Sequence, residues 1–211
     1  MYACFISYCH GQHELTKAFI TQLTLALKSY LEPLMDEEVY IDEERLMPGY
    51  KYNEELASAI CKSVCMIVVY SPKYERHSYC VREFEGMRQV EQKRRAILGA
   101  AGSRERGMII PIIFRGDASN LPDEIKGHKH YCDFTRFTTA DTNISKNPHY
   151  IGAIEKIAKA IYEHLSSFDE AGVDLCGDCA NFHLPAENEI PRWRADAQRP
   201  RAAFPGREPQ P

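Results

Sequence analysis

The sequence predicts an α/β protein built on an open parallel sheet covered on both faces. Two observations predict it. Short apolar runs recur along the chain, at 3–8, 39–41, 65–70, 108–114 and 130–134. Between them lie segments whose apolar residues stand three or four apart, the helical period. Strands that alternate with amphipathic helices build parallel sheets.

Each element follows from its local pattern. Residues 3–8 read as the first strand. Leu15, Phe19, Leu23, Ala26, Leu27, Tyr30 and Leu31 mark a helix to about residue 32. Val39 to Ile41 is a short strand. Leu56, Ala59, Ile60 and Val64 mark a second helix, stopped by the strand at 65–70. Pro72 then breaks the chain, and residues 79–97 read as a long polar helix. Gly107 opens a fourth strand running from Met108 to Phe114. Pro111 within it cannot donate to a ladder, which predicts a bulge. Leu121 to Ile125 reads as a turn with a short helical piece, and His130 to Phe134 as the fifth strand. Tyr150, Ile151, Ile154, Ile157, Ala158, Ile161 and Leu165 give a final helix with an apolar stripe.

Composition bounds the function. The chain has 211 residues, enough for one domain and an appendage. A hydrophobic fraction of 44% supports a real core. The net charge of −4 gives no basic excess for nucleic acid. No run of about 18 apolar residues suggests a membrane span. The N-terminus carries neither a basic nor a long apolar region, so no signal peptide is expected. Cys4, Cys61, Cys65 and Cys132 lie in apolar or amphipathic runs, where free cysteine behaves as a small hydrophobe. That usage suits a reducing cytoplasm rather than a disulfide framework. Composition shifts after residue 168. Six prolines stand between Pro185 and Pro211, with several arginines and few aliphatics. Residues 1–168 therefore read as the domain and 169–211 as a Pro/Arg-rich, poorly ordered tail.

Five parallel strands with intervening helices form a flavodoxin-like sheet. Ligands bind such sheets outside the carboxyl ends of the strands. Three loops converge there: Ser7 to Gly11, Asp42 to Tyr52, and Ser71 to Glu83. Each carries a motif. The first is Phe5-Ile6-Ser7-Tyr8. The second runs from Asp42 through Pro48-Gly49. The third is Ser71-Pro72 followed by Tyr79-Cys80-Val81-Arg82-Glu83.

These three segments, in this order and spacing, resemble the Toll/interleukin-1 receptor (TIR) domain. The resemblance covers roughly residues 2–166. It is similar in particular to stand-alone prokaryotic members of antiphage (Thoeris-like) systems. Glu83 matches the glutamate on which NAD-cleaving members depend, and the resemblance assigns it to the ribose hydroxyls. Phe5, Ser7, Tyr8, Cys9, His10, Asp42, Arg45 and Tyr79 are the implied substrate-binding residues. The family has tryptophan where Tyr79 stands. The implied activity is cleavage of the nicotinamide–ribose bond of NAD+, giving ADP-ribose or a cyclic isomer that signals to a separate effector. NAD+ would be the substrate, with no cofactor and no metal. In the family the second loop, here 42–52, reaches a neighbouring subunit, which implies self-association. The competing reading is a scaffold that only binds other TIR domains.

Several residues carry two readings. Glu83 beside Arg82 and Glu85 could be an ordinary solvated helix residue. His10 is a pocket residue or a helix-start residue. Arg45 pairs with phosphate or is a solvated loop charge. Cys176-Gly177-Asp178-Cys179 with His183 resembles half a zinc site, but tetrahedral zinc needs four ligands. A chance pair in a loose tail is the simpler reading. Lys93-Arg94-Arg95 reads as a solvated helix face. A response-regulator receiver would need paired acids after the first strand and an aspartate after the third, and neither is present.

Overall fold

A computed structural model describes residues 1–10, 14–41, 52–98, 107–128, 131–137, 144–177 and 179–193. Five strands form one sheet in the order β2-β1-β3-β4-β5. They are β1 (Tyr2–Tyr8), β2 (Glu38–Ile41), β3 (Ser63–Tyr70), β4 (Ile109–Ile113) and β5 (Cys132–Asp133). Every pair is parallel, which bears out the flavodoxin-like α/β fold. The main helices are α1 (Glu14–Leu31), α2 (Tyr52–Lys62), α3 (Ser78–Leu98), the short α4 (Asp123–Lys126) and α5 (Pro148–Glu170). α1 and α5 pack on one face of the sheet, and α2 and α3 on the other.

Burial drives these elements. β3 is buried along its whole length, the mark of a central strand covered on both faces. α1 buries Phe19, Ile20, Leu23, Leu27 and Leu31, one helical face. α5 buries Tyr150, Ile154, Ile157, Ala158, Ile161, Leu165 and Phe168. Asn147 caps α5 by accepting from the His149 and Tyr150 amides, and Pro148 occupies its first position. Gly172, at φ +63°, turns the chain beyond its end.

Two local expectations are corrected. Val64 belongs to β3 and not to the preceding helix, so β3 starts two residues earlier than the apolar run. β4 has no bulge at Pro111, which pairs in register with Val68. The Met66 amide donates to Met108 O, and the Phe114 amide donates to Tyr70 O. Even-numbered residues of β4 thus bond β3, and the Pro111 nitrogen faces the β5 side. Among the described residues β5 pairs only with Ile112 and Ile113, and none of them stands opposite Pro111 in the ladder.

A larger difference lies beyond α5. The expected boundary at residue 168 does not coincide with the end of packing. Leu175, Cys179, Phe182 and Trp193 are buried in the core. The Trp193 ring stands edge-on to Phe84 at 4.7 Å and lies 5.7 Å from Tyr74. Arg82 Nε donates to Pro185 O at 2.9 Å. Residues 175–193 therefore cover the outer face of α3, which is why this polar helix buries so much of itself. Residues 194–211 lie outside the described residues.

Two further readings change with it. Cys61 is bonded to Cys179 in a disulfide that joins the end of α2 to this covering segment. Cys61 is therefore not a free hydrophobe, and Cys179 cannot serve a zinc half-site with Cys176 and His183. Arg94 is only 4% exposed, so it is not part of a solvated face. Its guanidinium donates to the carbonyls of Cys61 (2.5 Å), Ser63 (2.6 Å), Val64 (3.3 Å) and Leu175 (3.5 Å). Five donors in a fixed fork suit arginine to this gathering of carbonyls from the end of α2, the start of β3 and the covering segment. Burial lowers its pKa to about 10.

Candidate active site

Glu83 sits in the second turn of α3 and is 5% exposed. The solvated reading of this carboxylate is thereby excluded. A turn at 71–77 sets its position: the Tyr74 amide donates to Ser71 O, and the His77 amide donates to Tyr74 O. α3 then starts at Ser78 beside the carboxyl end of β1. Ser7, near the end of β1, donates from Oγ to Glu83 Oε2 at 2.5 Å. A hydroxyl on a carboxylate is a charge-assisted bond, about twice as strong as a neutral one. Ser7 Oγ also meets Tyr74 Oη at 2.7 Å. Tyr74 Oη donates to Cys80 O at 3.0 Å. Burial foremost, then the charges of Cys80 and Glu83, pushes the Tyr74 phenol well above its ordinary value. It therefore remains a donor, and direct contacts link Tyr74, Ser7 and Glu83 in one network.

A cavity of about 510 Å³ opens at the same edge of the sheet. Tyr8, Cys9 and His10 line it, together with Phe114, Lys73 and Arg115. Alternation along β1 explains why Ser7 is not with them: Ser7 points to the α3 face and Tyr8 to the α1 face. The Tyr8 ring stacks on His10 at 4.5 Å. His10 is thus a pocket residue rather than only a helix start.

Between the cavity and Glu83 stand two thiols. The Cys80 thiol donates to Tyr8 O at 3.6 Å. Hydrogen bonding from Cys80, aided by the charges of His77 and Lys73, lowers the Cys9 pKa to about 6 against the opposing effect of burial. The Cys80 thiol is pushed up, first by its bond to Cys9, then by burial and by the Glu83 charge.

The expected site residues thus divide. Ser7 and Glu83 come together, and Tyr8, Cys9 and His10 share the cavity. Tyr79 lies at the start of α3, 44% exposed, with the Arg82 guanidinium 5.8 Å from its ring. Phe5 is fully buried and stacks on Tyr40 at 5.3 Å, so the structure gives it a core role and no pocket surface. Asp42, Arg45 and the rest of 42–51 lie outside the described residues. Sequence reasoning missed Tyr74, Lys73, His77 and Arg115. Arg115-Gly116 directly follows a strand, at the edge where ligands bind, and that position was the available signal. Tyr74 had no such signal, because only the fold brings it to Ser7.

A TIR domain family model matches residues 4–146. This chain belongs to the TIR domain family. Solved TIR domains are similar to it in fold. One is that of the Toll-related receptor TRR-2 from Hydra magnipapillata, 19% identical, covering 75% of this chain and 99% of that chain, with a TM-score of 0.48. Another is the TIR domain of the activated Roq1 resistosome that recognises the pathogen effector XopQ. It is 21% identical and covers 75% of this chain and 84% of that chain, with a TM-score of 0.44. No curated protein matches the chain. Among the described residues, no helix is long and apolar enough to cross a membrane.

Proposed function

We propose that this TIR domain cleaves NAD+ at the nicotinamide–ribose bond. The observation that carries the reading is Glu83: buried, in register with Tyr79-Cys80, and fixed by the Ser7 hydroxyl. Nicotinamide leaves as the ribose develops oxocarbenium character. A preoriented carboxylate stabilises that charge and can hold the ribose hydroxyls, and it costs no reorganisation at the moment of bond breaking. Lys73, Arg115 and His10 supply the cationic and stacking surface that a dinucleotide diphosphate and base require. NAD+ is the substrate, and no cofactor is invoked.

The product is ADP-ribose or a cyclised isomer, released in the cytoplasm as an antiphage signal for a separate effector. Self-association through the loop at 42–52 would cover the pocket, exclude water and strengthen the carboxylate's field. Activity should then rise more steeply than linearly with protein concentration. Chromatography of NAD+ incubated with wild type and with Glu83→Gln tests the reading. Glu83→Gln should lose activity about 100-fold or more, the scale of one lost electrostatic contact in a transition state. The scaffold reading requires that wild type and variant leave NAD+ equally intact at every concentration.

A further inference from the structure

Cys9, His77 and Cys80 come from three separate places: the loop after β1, the residue before α3, and the first turn of α3. Their ligand atoms, two sulfurs and an imidazole nitrogen, lie within 4.8 Å of one another. Among the described residues no other group of this kind gathers. His77 and Cys80 are one helical turn apart, which sets both on one side of the helix start.

We propose that Cys9, His77 and Cys80 form a binding site for a thiophilic divalent cation of the zinc class. The donor set selects the ion. Two thiolates and an imidazole favour zinc or its soft relatives over magnesium and calcium, which want oxygen. Zinc holds sulfur at about 2.3 Å and nitrogen at about 2.0 Å, so bound ligand atoms stand roughly 4 Å apart or less. The present spacing closes to that by about 1 Å, within reach of side-chain rotation. Cys80 is buried, Cys9 half-buried and His77 exposed, so the site has an inner anchor and an open entry. Three protein ligands leave a fourth position for water. Each thiol that enters the coordination sphere releases its proton to solvent, and no electron moves.

The ion would tie the end of β1 to the start of α3, one turn from Glu83. The inference holds whether or not the domain cleaves NAD+.

The test uses the full chain, held under nitrogen without reductant so that the Cys61–Cys179 disulfide stays intact, and cobalt(II) alone as the spectroscopic probe. Thiolate-to-cobalt charge-transfer bands should appear, saturate at one equivalent per chain, and bleach on addition of zinc. Cys9→Ser and His77→Ala should each weaken uptake about 100-fold or more, beyond the 10–100-fold that loss of a merely supporting group costs. Cys132→Ser and Cys176→Ser should leave it unchanged. Both ligand variants sit at exposed or half-exposed positions, and an unchanged melting temperature confirms their fold. If Cys9→Ser unfolds, His77→Ala alone decides. Absence of the bands in wild type would overturn the proposal. So would bands that survive His77→Ala, or that vanish with Cys176→Ser.

Discussion

The first two turns of α3 and its last three pack against different partners. The first two carry Cys80 and Glu83 against the end of β1, where Ser7 and Tyr8 receive them. The last three carry Val90, Glu91 and Arg94 against the end of α2, the start of β4 and the covering segment. Arg94 gathers the carbonyls there, and Glu91 accepts from the Met108 amide at 3.0 Å. Both ends bury charge, and each buried charge has a partner, as burial demands. At the first end Glu83 accepts from the Ser7 hydroxyl of the neighbouring strand, a contact a substrate could share. At the other end Arg94 meets backbone carbonyls, and Glu91 takes both the Met108 amide and the Arg95 guanidinium, contacts that hold the fold. A buried charge closed on backbone and on its own helix is structural, and one met by a strand side chain at the carboxyl edge of the sheet is the candidate for chemistry.

The largest test of this contrast removes the covering segment. Truncation after Gly172 strips the burial of Leu175, Phe182 and Trp193, each contributing roughly 1.5–3 kcal/mol. A loss of at least about 5 kcal/mol in urea unfolding is expected, a large share of the roughly 5–15 kcal/mol of an ordinary domain. A truncated chain that melts within a few degrees of wild type would return 169–193 to the status of a dispensable tail.

Next comes the disulfide. Cys179→Ala should cost about 2–4 kcal/mol. Alkylation of the denatured, unreduced chain should block six cysteines, and eight after reduction. Eight before reduction would mean the bond is absent.

Arg94→Met should cost about 2–4 kcal/mol, because the Cys61 and Ser63 carbonyls lose their donor inside the protein. The exposed neighbour Lys93→Met should stay within about 0.5 kcal/mol. Equal effects at the two positions would restore the solvated-face reading.

The smallest effect is at Gly86. A Cβ there would stand 2.6 Å from Leu184 Cδ2, the far end of a half-exposed side chain that can rotate away. Gly86→Ala also gains about 1 kcal/mol of helix propensity. The net change should stay within about 1 kcal/mol. A loss above about 2 kcal/mol would show Leu184 to be locked in place.

The contrast also explains what the sequence could reveal. All five strands were legible, because apolar runs bounded by turns are local signals. So was Glu83, since its spacing from Tyr79-Cys80 is local too. The cover over α3 was not. Residues 175–193 fold without helical or strand periodicity, and Leu175, Phe182 and Trp193 are too far apart to form a pattern. For the same reason α3 read as polar and solvated, and Arg94 with it. Val64 was misplaced because the helix stripe and the strand run meet at Ser63-Val64 with no breaker between them. Tyr74 and His77 were invisible as site residues, since both depend on contacts across more than sixty positions.

NAD+ turnover by Glu83→Gln and Glu85→Gln, measured beside wild type at high protein concentration, tests the central claim most directly. Both carboxylates are buried on α3, but Glu83 faces Ser7 at the edge of the sheet, and Glu85 pairs with Arg88 at 2.9 Å. The account predicts that wild type and Glu85→Gln release nicotinamide while Glu83→Gln releases about a hundredth as much or less. Equal release by all three, or loss of activity at Glu85 with Glu83→Gln unimpaired, would contradict it.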